Sequence, residues 1–260
     1  MADGSLHPGL LGSDDAPVYR LHQAQGSSPL VLLADHAGQG IPRALGDLGI
    51  GQAELDRHIG WDIGIAGVTR ALARQLDAWA IEQHYSRLVI DCNRPHGSPT
   101  LVPAVSDGTV IPANQALATA LRRQRIEAIH APYHAAISHE LDHRASSGRA
   151  TALVLLHSFT PVMNDTPRPW HCGVLYNHDT RLAHALLAAL RAEGDLVVGD
   201  NQPYAISDDS DYAANVHGEA RGLPYVEIEI RQDLIADPAG QRAWADRLAR
   251  LLPPLLEDIV

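Results

Sequence analysis

The chain has 260 residues, 45% of them hydrophobic, and a formal net charge of −11; the length suits one large α/β domain or two small ones, and the composition excludes global disorder. The acidic balance argues against a general nucleic-acid or anionic-membrane binder, and no apolar run approaches the roughly 18 residues of a spanning helix. All twenty basic residues are arginine, which excludes Schiff-base lysine chemistry and the lysine of phosphate-binding loops and leaves arginine, whose planar fork suits carboxylates, as the fixed positive charge of any site.

Residues 1–17 lack the basic start and apolar core of a signal peptide and read as a mobile tail ahead of one domain over 18–260. Two cysteines, Cys92 and Cys172, in a chain of this length suggest reduced thiols in a cytoplasmic protein. Residues 30–34 (LVLLA) form an apolar run without alternation, the mark of a strand buried on both faces. It stops at Asp35-His36 and is followed by Gly38 and Gly40, which let the backbone turn closely around something. Residues 52–76 carry helical spacing with a break at GWDIG, residues 60–64. Residues 87–92 (RLVIDC) read as a second strand ending at Asn93-Arg94-Pro95, and 96–113 as a long loop on a site rim. Residues 116–146 read as a long helix kinked at Pro132.

Residues 152–156 (ALVLL) repeat the opening pattern and end at His157-Ser158, with loop over 160–170. Short strands are predicted over 174–176 and 196–198, a helix over 180–192, an alternating strand over 225–230 (YVEIEI) and a closing helix over 239–252. Strands alternating with helices predict a three-layer α/β/α architecture around a mostly parallel or mixed sheet.

His139-Glu140-Leu141-Asp142-His143 matches the H-E-x-x-H pattern of zinc proteases. Ile129, Tyr133, Ile137 and Leu141 define the apolar stripe of that helix, and each histidine lies about 200° around the wheel from it. Both therefore point to solvent, the wrong side for a catalytic site. A dispersed set is the better candidate. His36 and His157 each end an apolar strand, so a parallel sheet brings them to one edge, where open α/β sheets bind ligands. Asp62, in the glycine-flanked break, could join them, giving two histidines and a carboxylate with room for water, a catalytic zinc arrangement. The plain alternatives are a core histidine at a strand end for His157 and a helix N-cap for Asp62.

The segments ADHAGQGIP, HIGWD, YSRLVIDCNRP, PYHAAI, LLHSF and LPYVEIEIRQDLI, in this order across most of residues 29–235, resemble the N-formylglutamate amidohydrolases (deformylases). Asp91 to Arg94, Asp-x-Asn-Arg, also looks like a piece of aspartoacylase and succinylglutamate desuccinylase, zinc deacylases of a related, carboxypeptidase-like fold. The resemblance implies a zinc-dependent amidase for an N-acyl amino acid, with His36, Asp62 and His157 as ligands to one zinc or another divalent transition metal. Related deacylases carry a glutamate soon after the first histidine, and HAGQ has none. WDIG stands where the deformylases carry a more aspartate-rich segment, and WHCGVLY (170–176) also departs, so the chain resembles a divergent branch.

Within YVEIEI, Glu227 and Glu229 share one face, and Glu229 lies nearer the carboxyl end, where the site is expected. It is the candidate proton acceptor from water and donor to the leaving amine. Arg87 is the candidate partner of the scissile carbonyl and Arg94 of a substrate carboxylate. Asn93, His217 and Tyr204 are further candidate substrate contacts, and Arg231 carries no assignment. The expected activity is removal of a small acyl group, most simply formyl, from an acidic amino acid such as glutamate. The alternatives are a deacylase for another N-acyl amino acid and a non-catalytic metal- or ligand-binding domain on the same scaffold.

Overall fold

In a computed structural model, which describes residues 9–257 and 259, seven strands join in one sheet. In chain order they are β1 (Tyr19–His22), β2 (Leu30–Ala34), β3 (Trp79–Gln83), β4 (Ala152–Phe159), β5 (Cys172–Leu175), β6 (Val198–Asp200) and β7 (Tyr225–Arg231). Their spatial order is β1-β3-β2-β4-β7-β5-β6. The central four, β3, β2, β4 and β7, are mutually parallel, while β1 runs antiparallel to β3 and β5 antiparallel to β7. The sheet is thus mixed with a parallel centre.

Both faces are covered, which explains why β2 and β4 read as unbroken apolar runs. After the single turn α1 (Gln52–Leu55), the helices of one face follow, where Leu30, Leu32, Val154, Val226 and Ile228 pack with α2 (Ile65–Leu76), α5 (Arg181–Ala192) and α6 (Pro238–Leu256). On the other, Val31, Leu33, Leu153 and Leu155 pack with Ile129, Tyr133, Ile137 and Leu141 of the long helical segment. Fully burying one such side chain contributes about 1.5–3 kcal/mol, so these two layers fix the position of every strand end.

The alternation of layers matches the sequence reading, and several local expectations are corrected. Residues 87–92 are not a strand. Ser86 starts a turn there, its carbonyl accepting from the Val89 N–H at 2.9 Å and its hydroxyl from the Leu88 N–H at 3.1 Å, while the Leu88 and Val89 carbonyls accept from the Asn114 and Arg125 side chains, each at 2.8 Å. The buried Leu88, Val89 and Ile90 pack under the loop. The actual strand, β3, ends in Glu82 and Gln83; both are buried, and Arg70 grips Glu82 with Nε and Nη2 at 2.8–3.1 Å. The expected long helix is α3 (Thr119–Arg125), a π-turn (Ile126–His130) and α4 (Ala131–Ser146). Pro132 has no N–H to continue the ladder, and the turn before it widens so that the Ala131 N–H reaches the carbonyl of Ile126.

Of the expected tail, residues 1–8 lie outside the described residues, whereas Leu10 is buried in the second core and the Tyr85 hydroxyl donates to the Ala16 carbonyl at 2.6 Å. The two long loops each contain a small hairpin, Val105–Ser106 with Thr109–Val110 and Val162–Met163 with Thr166–Pro167. No helix among the described residues is long and apolar enough to cross a membrane.

Candidate active site

β2 is flanked by β3 on one side and β4 on the other, so the chain reverses its direction of progress across the sheet there. In such sheets the crevice beyond the carboxyl ends at this switch point is where ligands bind. His36 follows β2 and His157 lies near the end of β4. Gly38 explains how the first loop is held: a Cβ there would lie 1.9 Å from the His84 carbonyl oxygen, and Gly40 donates to that same carbonyl at 3.1 Å. The glycines are needed because the loop lies directly on the chain after β3.

Asp62 comes from the break before α2. Gly64 adopts φ +84° there, and a Cβ would meet the Ile235 carbonyl oxygen at 2.1 Å, so this turn also requires glycine. The Asp62 N–H donates to the His36 carbonyl at 2.9 Å. Its carboxylate does not cap α2. Oδ2 instead lies 2.9 Å from His157 Nδ1, accepts from the Ser158 N–H at 3.1 Å, and stands 3.7 Å from His36 Nδ1. One ligand atom from each of His36, Asp62 and His157 lies within 4.8 Å of the others, and all three side chains are buried.

The far nitrogens of both imidazoles face carboxylates. His36 Nε2 donates to Asp91 Oδ1 at 2.7 Å, and His157 Nε2 stands 4.0 Å from Glu227 Oε2. The carboxylate hydrogen-bonded behind His36 fixes its tautomer and turns its other nitrogen inward, the usual support for a metal-binding histidine, whereas His157 Nε2 is buried without a hydrogen-bond partner. His36 Nδ1 and Glu229 Oε2 are buried without a hydrogen-bond partner. Asp62, Asp91, Glu227 and Glu229 together surround two imidazoles beside the Arg87 guanidinium, a buried set of carboxylate oxygens and ring nitrogens of the kind that ligates a divalent cation. The donor set therefore suits such an ion.

Electrostatics agree with the geometry. Burial and the Arg87 charge disfavour a cationic His36, yet Asp91 and Asp62 outweigh them and hold its pKa above the ordinary value. Burial opposes ionisation of Asp62, but His36 and His157 hold its carboxyl far below the usual range. Glu229 goes the other way: burial, aided by the Asp62 charge, pushes it up to about 7. Burial also raises Glu227, with Asp211 adding to it.

These groups line one cavity of about 510 Å³, together with Arg87, Asn93, Arg94 and Tyr204. Arg87 binds Asp91 Oδ2 through Nε and Nη2 at 3.1 and 2.7 Å. Arg94 Nη1 donates to the Asn93 carbonyl at 2.9 Å and to Asp211 at 3.3 Å. The Asn93 amide donates to Asp211 at 3.2 Å and its oxygen accepts from the Ala213 N–H at 3.1 Å. His217 is not on this wall. It is fully buried, and its Nε2 donates to His134 Nδ1 at 3.0 Å, while His134 Nε2 donates to the Cys92 carbonyl at 2.8 Å. With His130 Nε2 on the Arg94 carbonyl at 3.2 Å, these histidines hold the 91–94 loop from behind. Its partner His134 stands 83 residues earlier in the chain, which concealed that placement. Arg231 also lies off the cavity, bonded to Asp233 at 2.8 Å.

Sequence reasoning missed the support for His36 by Asp91, although Asp91 opens the Asp-x-Asn-Arg motif, and missed Tyr133, whose hydroxyl donates to buried Asp35 at 2.6 Å. His139 and His143 are exposed on α4, with Asp142 paired to Arg221 at 2.6 Å.

Fold and site define a three-layer α/β protein with a buried histidine–carboxylate centre at the switch point of its sheet. The sequence model of the N-formylglutamate amidohydrolase family matches residues 28–236, and the chain belongs to that family. A crystal structure of gene product Atu2144 from Agrobacterium tumefaciens superimposes with a TM-score of 0.92 at 36% identity, covering 96% of this chain and 99% of that one. The N-formylglutamate amidohydrolase of Ralstonia eutropha JMP134 shares the fold, with a TM-score of 0.73 at 20% identity over 93% of this chain and 98% of its own. No curated protein sequence matches the chain.

Proposed function

We propose that the protein hydrolyses the amide bond of an N-acyl acidic amino acid, most simply N-formylglutamate, at a site where His36, Asp62 and His157 hold one zinc or similar divalent ion. Family membership and the R. eutropha amidohydrolase of the same fold support the reaction class. The observation that carries the reading is the buried, unpartnered Glu229 oxygen on the strand beside His157, next to the three-residue cluster. A divalent ion bound there would act as a Lewis acid on the carbonyl and lower the pKa of water to about 7.

The chain's own residues supply the rest. Glu229, pushed up to about 7 by burial, is poised to accept a proton from water at its Oε2 and deliver it to the leaving nitrogen. Burial works against the Arg87 charge, but Asp91 and Asp62 hold its proton more tightly than usual, so it offers a permanent positive charge to the carbonyl oxygen. Arg94 receives a substrate carboxylate. Asn93 and Tyr204 shape the wall around it, and His217 acts through His134 on the loop that carries Asn93 and Arg94. The two buried thiols suit a cytoplasmic setting.

The test is metal stoichiometry together with amine release from a panel of N-acyl amino acids. The reading expects one divalent ion per chain and fastest cleavage of N-formylglutamate. Turnover of other acyl groups in its place would assign a different deacylase, and bound metal with no turnover of any member would assign a binding domain.

A further inference from the structure

An acidic substrate entering this cavity meets Asp62, Asp91, Asp211, Glu227 and Glu229. Of the two arginines on its wall, Arg87 is held on Asp91 at 2.7 Å, and Arg94 meets Asp211 at 3.3 Å through Nη1 alone. A third arginine is in a different state. The Arg168 guanidinium lies 4.8 Å from the ring centre of Tyr204 and 5.8 Å from that of Phe159, and Nη1 donates to the Tyr204 hydroxyl at 2.9 Å. Among the described residues it forms no ion pair with any carboxylate.

Phe159 and Tyr204 both line the cavity, so Arg168 packs against two of its wall residues without itself lining it. The backbone there is fixed: the Arg168 N–H donates to the Pro161 carbonyl at 2.8 Å, and its own carbonyl accepts from Arg231 at 3.5 Å. The charge is felt inside. His58, another wall residue, is held below its ordinary pKa first by burial, with Arg57, Arg87 and Arg168 adding to the effect. A guanidinium held by ring faces keeps its edge N–H groups free, and Nε and Nη2 of Arg168 have no partner among the described residues. That edge is a receptor for a carboxylate through two parallel hydrogen bonds.

We propose that Arg168 is the specificity-determining residue of the cavity, receiving the side-chain carboxylate of an N-acyl dicarboxylic amino acid while Arg94 holds the α-carboxylate. This rests on the amidase reading above and narrows its substrate class. A monocarboxylic substrate would leave Arg168 unused, whereas a dicarboxylic one supplies the counter-charge this guanidinium lacks.

The test compares wild type with Arg168→Gln and Arg168→Met on N-formyl-L-glutamate and its uncharged counterpart N-formyl-L-glutamine. The ratio of kcat/KM between the two substrates falls roughly 10- to 100-fold in both variants, carried mainly by KM. An unchanged ratio overturns the proposal. Calorimetric binding of L-glutamate and L-glutamine separates this assignment from the amidase reading. If wild type cleaves neither formyl compound, yet binds L-glutamate at least about tenfold more tightly than Arg168→Gln does and L-glutamine equally, the reaction fails and the carboxylate site stands. Cleavage of N-formylglutamate that ignores Arg168 keeps the reaction and removes the site, as does L-glutamate binding that is absent or indifferent to Arg168. Arg168 is half-exposed on a loop, and thermal melts report whether both variants keep the fold.

Discussion

Glu229 on β7 and His157 on β4 are register partners in adjacent parallel strands, so both side chains emerge on the same face at the carboxyl end of the sheet. This pairing buries a carboxyl beside the histidine cluster, and burial with the Asp62 charge raises it from its ordinary 4.5 to about 7. A carboxyl whose folded pKa is raised stabilises the fold below the unfolded value and loses that contribution as pH rises through the folded one. In chelator-treated protein this group therefore removes stability, on the order of 3 kcal/mol, between about pH 4.5 and 7. Glu229→Gln should flatten that part of the pH dependence and be the more stable protein at pH 8. Urea denaturation at pH 5 and pH 8 checks it, and identical slopes in both proteins would contradict it.

Asp91 lies 2.7 Å behind His36. Asp91→Asn keeps the shape but not the charge, and metal affinity should fall about 10- to 100-fold. Competition with a chromophoric chelator measures this. Unchanged affinity would remove Asp91 from the support of the site.

Gly38 leaves no room for a methyl group, which would lie 1.9 Å from a backbone oxygen. Gly38→Ala should destabilise the protein by about 3 kcal/mol or more. Gly97, where a methyl group would meet nothing within 4 Å, should tolerate alanine within about 0.5 kcal/mol. Equal effects of the two substitutions in chemical denaturation would refute the packing account of the β2 loop.

His139 and His143 are both exposed on α4. The double variant His139→Ala, His143→Ala should retain metal content and catalytic rate within about twofold, since solvent-facing substitutions away from a site change little. Loss of bound metal in that variant would restore the protease-like helix as the metal centre.

The parallel centre was legible because β2 and β4 are covered on both faces and read as unbroken apolar runs ending in histidine. Solvent exposure of the HELDH motif was legible from one apolar stripe. Residues 87–92 misled because burial alone made them strand-like. Their hydrogen bonds go to a turn begun by Ser86 and to the distant side chains of Asn114 and Arg125, which no apolar pattern reveals. β3 was hidden for the opposite reason, since Glu82 looks solvent-facing until Arg70, twelve residues earlier, neutralises it. The same limit applies to the site. His36, Asp62 and His157 could be named from strand ends and resemblance, but Asp91 behind His36 depends on a contact 55 residues apart in sequence. The placement of the Arg168 guanidinium depends on two rings brought together only by the fold.

In the proposed reaction Glu229 moves the proton of amide hydrolysis at a metal-loaded His36–Asp62–His157 centre. The most direct measurement is glutamate release from N-formyl-L-glutamate by wild type and Glu229→Gln, each assayed for zinc on the same sample. Both proteins should hold one equivalent of zinc, and the variant should turn over about 10²- to 10⁴-fold more slowly. Near-normal turnover by zinc-loaded Glu229→Gln would contradict it.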